Sequence, residues 1–333
     1  MKKVIIFIIL NLTLSVLYAN ENIFTSSRVA LKMINKKDVL FIVLGESDLK
    51  IKKSKQLDIN FLTSRDTLGS LSCTPFYRCA KEVEAYLFNL GIKQNQSLVL
   101  YDNTYGIYAS TLYTILESMG HNDMTILRGG MKDIMNLDPN WKVYNKYVQE
   151  LESLVGVINQ DTNESIITTS ASKMNALKKK INVLKPYLLV NTDVNINEHN
   201  ISEYRVGKAN KEYLFSKKDL IKLLNEKKDR ESNRTLIDVC NMPNIFAERD
   251  LLKIKSLPWK SLIDKSKRQL KSNEVLKKLF KKFKLDKLDD NYLYCMSGAE
   301  KAFFAMMALR EVGYTKVKVF TGDWNTWIGD IDE

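Results

Sequence analysis

The sequence predicts an α/β protein built from two repeated domains, each a mainly parallel sheet covered by helices. Three observations carry that prediction. First, SLVLYDNTYGIYASTLYTILESMGHNDMTILRGG in one half and NYLYCMSGAEKAFFAMMALREVGYTKVKVFTGD in the other share one order: β-rich run, loop, amphipathic run, Gly, β-rich run, Gly. Second, the two segments align without a gap, pairing Tyr101 with Tyr294, Asp102 with Cys295, Gly120 with Gly313 and Gly129 with Gly322. Internal repetition of this kind marks duplicated structural units. Third, 333 residues, 45% apolar and 27% charged, suit two domains with buried cores.

Within each unit a short β-rich strand leads: Leu98 to Tyr101, or Tyr292 to Tyr294. An amphipathic helix follows and stops at a glycine suited to a left-handed cap, Gly120 or Gly313. A second strand comes next, Met124 to Leu127 or Val317 to Phe320. Strand, helix and strand at this spacing form a βαβ unit with parallel strands. DVLFIVL (Asp38 to Leu44) and TLIDVC (Thr235 to Cys240) supply earlier strands of the same sheets. A helix of the first domain is expected to start with Thr74 as cap and Pro75 at its first position. In the second, Ser216 and Asp219 form a capping-box-like pair before DLIKLL. The run KKLFKKFKLDK from Lys277 to Lys287, taken with Leu276, puts Leu276, Leu279, Phe280 and Phe283 on one face of a solvated amphipathic helix.

The domains are therefore expected at 24–143 and 209–333, with 144–208 as a polar, Asn-rich linker region containing some local helix. Residues 1–19 combine two lysines, an apolar run and Ala19, which reads as a signal peptide cleaved after Ala19. A periplasmic protein with no stable membrane span in its mature chain is the expectation. The formal net charge is +12, but the positive residues are mixed with Asp and Glu and carry no basic-aromatic nucleic-acid motif. A small anionic partner, or solubility alone, explains this pattern more economically than nucleic acid.

The chemistry concentrates at YCMSGAEKA. Cys295 ends a strand and precedes a helix, and ligands of open α/β sheets bind beyond the carboxyl ends of the strands. Backbone N–H groups of Met296, Ser297, Gly298, Ala299, Glu300 and Lys301, together with the helix N-terminus, favour thiolate over thiol. Gly298 lets the backbone curl close to the sulfur. The matching position in the first domain is Asp102, which cannot accept a sulfur atom, so that domain is expected to be catalytically silent. No Cys/His cluster has zinc spacing, and no cofactor is expected.

These features resemble the tandem rhodanese-type sulfurtransferases, the thiosulfate and 3-mercaptopyruvate sulfurtransferase family. LVLYD with GHNDMTILRGG, and YCMSG with GYTKVKVFTGDWNTW, carry the resemblance over nearly all of the mature chain. It implies a silent N-terminal domain and a C-terminal domain whose Cys295 takes the outer sulfur of thiosulfate or the sulfur of 3-mercaptopyruvate as a persulfide. The sulfur then passes to a thiol or cyanide acceptor. The alternatives are a noncatalytic sulfane-sulfur carrier or, further off, an oxyanion phosphatase or reductase, which would need an arginine where Lys301 stands.

Where the family has an arginine in the strand LIDxR, this sequence has Cys240. Cys240 either packs as a neutral side chain or acts on Cys295, resolving its persulfide or closing a reversible disulfide. Glu300 stands where the resembling loops carry Thr or Arg, and it repels dianions unless it points to solvent. Cys73 and Cys79 flank the start of a helix as a disulfide or as two thiols. His121 reads as a surface turn residue. Trp324 and Trp327 pack near the end of the second sheet or wall its pocket. Asn163, Asn200 and Asn233 lie in extended Asn-x-Ser/Thr sequences that suggest glycosylation.

Overall fold

The apolar runs form two five-stranded sheets in which every strand pair is parallel. The computed structural model describes residues 22–45, 47, 49–63, 79–160, 163–191, 204–206, 210, 212–216, 218–219, 222, 233–240, 254–296 and 298–321. In the first sheet β1 (Phe24–Thr25), β2 (Val39–Leu44), β3 (Lys55–Leu57), β4 (Ser97–Asp102) and β5 (Met124–Leu127) lie in the order β3-β2-β4-β5-β1. In the second, β6 (Leu214–Phe215), β7 (Arg234–Asp238), β8 (Ile254–Ser256), β9 (Asp290–Tyr294) and β10 (Val317–Phe320) lie in the order β8-β7-β9-β10-β6. The two orders correspond strand for strand, so the sequence repeat is a structural one.

The helices used below are α1 (Ala80–Asn89), α2 (Ile107–Ser118), α3 (Gly130–Leu137), α4 (Pro139–Gln160), α5 (Glu164–Leu184), α6 (Asn273–Lys282) and α7 (Glu300–Glu311). Repeat-equivalent α2 and α7 pack against each other as well as on their own sheets. That double duty explains why they are apolar all round: Ala302 through Leu309 are all buried, as are Ile107 and Ala109 through Leu116. The buried hydroxyls of Ser110, Thr111, Thr114 and Ser118 bond carbonyls of their own helix, which removes the cost of burying them. Both helices end at a glycine with φ of +93°, Gly120 and Gly313, as the left-handed cap requires.

Glu117 and Arg310 fall opposite one another in the gapless register of the repeat, and they meet where the two domains join. Each Arg310 guanidinium nitrogen of the fork donates to one carboxylate oxygen at 2.7 Å. A pseudo-symmetric contact brings like positions together, so opposite charges there favour joining the two unlike halves. A second link runs through Glu311, which is almost fully buried. Its carboxylate accepts from Arg128 at 2.9 Å, Asn273 at 3.1 Å and the Phe24 N–H at 3.1 Å.

Several expectations change at the level of detail. α4 and α5 pack along each other and occupy 139–160 and 164–184, so much of the stretch read as linker with local helix is long helix. Asn163 caps α5, accepting from the N–H of Ser165 at 3.0 Å. The helix expected from Thr74 and Pro75 is described from Ala80, with Cys79 at its N-cap. Thr74 and Pro75 lie outside the described residues, as do 1–19, Asn200, Trp324 and Trp327. Cys79 is disulfide-bonded, and Cys73 lies outside the described residues. The capping pair forms: Ser216 N–H donates to Asp219 at 2.9 Å, and Asp219 N–H to Ser216 Oγ at 3.3 Å. In α6, Leu276 and Phe280 are buried while Leu279 and Phe283 pack partly buried beside them. Among the described residues no helix is long and apolar enough to cross a membrane.

His121 is not a surface turn residue: it is buried between the domain 1 core and Tyr204. The Gln96 carbonyl 2.9 Å from Nε2 can only accept, so Nε2 carries the proton and Nδ1 accepts from the Tyr204 hydroxyl at 3.2 Å. Burial pushes the His121 pKa below its ordinary 6.5, against the raising effect of the Gln96 bond. The folded chain then binds fewer protons here than the unfolded chain. Its contribution to stability is full above about pH 6.5 and is lost as pH falls through the lowered folded value. Tm should therefore drop between about pH 7 and about pH 5, and His121→Gln should flatten that slope. An unchanged slope in the variant would refute the assignment.

Candidate functional site

The register of β7 against β9 places Asp238 beside Tyr294. One step further, Val239 N–H donates to the Tyr294 carbonyl at 3.1 Å. Cys295 and Cys240 therefore leave neighbouring strands side by side, and they are joined as a disulfide with a Cα–Cα distance of 5.2 Å. The Asp238 carboxylate accepts the Cys240 N–H at 2.8 Å, a local turn that bends the chain after the strand. Of the alternatives that the sequence leaves open for Cys240, the structure contains the disulfide. Cys295 is 7% exposed and Cys240 is half-buried.

After Cys295 the chain turns through Met296 and Gly298, whose N–H reaches back to the Cys295 carbonyl at 3.4 Å. Gly298 has φ of +127°, which a side chain rarely adopts, and a Cβ there would collide with the Glu300 carboxylate. Glu300 thus folds back over the loop instead of pointing away from it. α7 begins at Glu300 with Ala299 at the cap position, so its N-terminus lies just beyond the cysteine. Ser297 lies outside the described residues. Lys301 stands 5.9 Å from the Trp259 ring centroid and Lys260 5.8 Å, which puts two cations about one indole. Trp259 reaches this edge because its N–H donates to the Val239 carbonyl at 2.8 Å. The Tyr294 hydroxyl is held well above its ordinary pKa by burial and by the nearby Asp238 charge.

The first domain displays what such a corner does to an anion. Asp102 occupies the Cys295 position, and its carboxylate accepts the N–H groups of Thr104 at 2.6 Å, Gly106 at 2.8 Å and Ala109 at 2.8 Å. The loop and helix N-terminus hold a negative group built into the chain. A cleft of about 590 Å³ remains above it, lined in part by Asn103, Lys132 and Arg268, but its anion position is already filled. Leu44 lies opposite Asp102, so Gly45 is the counterpart of Cys240, and this corner has neither thiol. By the repeat register, the positions matching the three donors are Ser297, Ala299 and Ala302.

The sequence profile of the family described as "Rhodanese-like domain" matches residues 216–330. The structure is similar to SseA from Escherichia coli, described as a 3-mercaptopyruvate sulfotransferase, with a TM-score of 0.60 at 16% identity over 91% of this chain and 99% of that one. It is also similar to the yeast mitochondrial complex I sub-stoichiometric sulfur transferase subunit, with a TM-score of 0.60 at 16% identity over 91% and 95%. The chain is a tandem rhodanese-fold protein. A third similar structure is the anaerobic ergothioneine biosynthesis enzyme from Chlorobium limicola, with a TM-score of 0.61 at 12% identity over 93% of this chain and 68% of that one. No curated protein matches the sequence.

Within the rhodanese-like domain the structure gathers Cys295, Cys240, the described part of the 296–301 loop and Trp259 at one sheet edge. Sequence reasoning did not find the Trp259 cation cluster. Its signal was the segment LPW, Leu257 to Trp259, which follows the short edge strand β8.

Proposed function

We propose that the protein is an exported sulfurtransferase that moves a sulfane sulfur from thiosulfate or 3-mercaptopyruvate to a thiol or cyanide through a Cys295 persulfide. The observation that supports it most is the place of Cys295: the strand-to-helix corner of the rhodanese-like domain, where the equivalent corner holds a carboxylate on three N–H groups. A thiolate at that corner gains the same stabilisation and becomes a nucleophile near neutral pH. It attacks the outer sulfur of the donor, and sulfite or pyruvate leaves. The nucleophile is present only after the disulfide to Cys240 has been reduced.

With reduced protein, cyanide as acceptor and an excess of dithiol that keeps the Cys240–Cys295 pair open, sustained sulfite release from thiosulfate or pyruvate release from 3-mercaptopyruvate is expected. A single stoichiometric burst, or no release, would contradict a turnover enzyme.

Glu300 tunes the donor's entry. Its carboxylate folds over the loop that receives the anion, so Glu300→Gln should lower KM for thiosulfate by roughly five-fold after solvent screening, with little change in kcat. An unchanged KM would place the carboxylate outside the donor's field.

A further inference from the structure

We propose that Cys240 is a second catalytic thiol, which discharges the Cys295 persulfide as hydrogen sulfide and leaves the Cys240–Cys295 disulfide as a regular intermediate of the cycle. The inference rests on the sulfurtransferase reading of Cys295 and adds the fate of the sulfur. The two Cα atoms are 5.2 Å apart, within the span a disulfide bridges without moving backbone. Parallel register delivers both residues to the same sheet edge, so the Cys240 sulfur reaches the inner sulfur of a persulfide on Cys295. Neither residue has a thiol counterpart in the first domain, where Asp102 and Gly45 stand.

The steps balance. The Cys295 thiolate attacks the outer sulfur of thiosulfate; the donor's S–S bond breaks and sulfite leaves with the electron pair. The persulfide anion then faces the Cys240 thiol. The Cys240 sulfur bonds to the Cys295 Sγ, the bond to the outer sulfur breaks, and that sulfur leaves as hydrosulfide, carrying the proton from Cys240. Two electrons from the pair of cysteines have reduced the outer sulfur to sulfide. An external dithiol restores both cysteines and is itself oxidised to a disulfide.

Exposure gives this last step a direction. Cys240 is half-buried and Cys295 buried, so the dithiol attacks Cys240. The leaving group is then the Cys295 thiolate, released where the helix N-terminus stabilises it. Reduction regenerates the nucleophile directly.

The test uses full-length protein, reduced, freed of reductant without oxygen, and given one equivalent of thiosulfate. The wild type should release one sulfite and one sulfide and lose two thiols, Cys240 and Cys295 by peptide mapping, with no thiol added. Cys240→Ser should lose the sulfide release and keep the sulfur on Cys295, and Cys240→Ala provides a second variant should the serine perturb folding. Sulfite release with the sulfur retained on the wild type would overturn the inference and leave the sulfurtransferase reading standing. No sulfite from the wild type would overturn that reading, and this inference with it.

Discussion

Cys295→Ser should reduce sulfur transfer by roughly 10⁴-fold or more, to the uncatalysed background. A serine hydroxyl is un-ionised at neutral pH, and the loop cannot lower its pKa far enough to make an alkoxide, whereas a thiol lies within reach of ionisation. It also cannot form the sulfur–sulfur bond on which transfer depends. The comparison must be with reduced wild type. The disulfide closes a separation of 55 residues, which in the chain-entropy account stabilises the oxidised protein by about 4 kcal/mol. A variant compared with oxidised protein would mix that stability with chemistry. Steady-state assays on both reduced proteins check the expectation, and residual turnover within ten-fold of wild type would remove Cys295 from the mechanism.

Glu311→Ala should destabilise the chain by about 3–5 kcal/mol, seen as a lower urea midpoint. Glu311 is at the end of α7 in the second domain, yet two of its partners, Arg128 and the Phe24 N–H, belong to the first. Removing it leaves a half-buried guanidinium without its carboxylate and a strand N–H without an acceptor, and both are costlier than a lost surface pair. The loss falls where the domains join and where β1 begins, so the two domains should also separate more readily. A midpoint unchanged from wild type would show that Arg128 is satisfied by the Lys271 carbonyl and Asn273 alone.

The two parallel sheets were legible because the central strands are continuous apolar runs and the repeat fixes their correspondence; the strand order came only with the structure. Met124–Leu127 and Val317–Phe320 have the bounds read from sequence. The edge strands β1, β3, β6 and β8 were not legible: two or three residues give no period to detect. α4 was obscured for another reason. It has no fully buried residue: Tyr144, Tyr147, Val148, Leu151, Leu154 and Ile158 recur at helical spacing but are only half-buried, and the polar, Asn-rich stretch around them reads as linker. His121 was misread because a histidine after a helix-ending glycine is ordinarily solvated, and Tyr204, which covers it, lies far along the chain. For the site, Cys295 was visible from its corner, and Cys240 from its place in LIDVC. That the two meet follows only from the parallel register of β7 and β9.

The central claim is that Cys295 carries the sulfur. It is tested most directly by reducing Cys240→Ser, exposing it separately to thiosulfate and 3-mercaptopyruvate, removing excess donor and measuring the mass of the peptide containing Cys295. One added sulfur atom on that peptide, removed by cyanide, is the predicted result. A Cys295 peptide of unaltered mass after both donors, from protein with its thiols titrated as reduced, would contradict it.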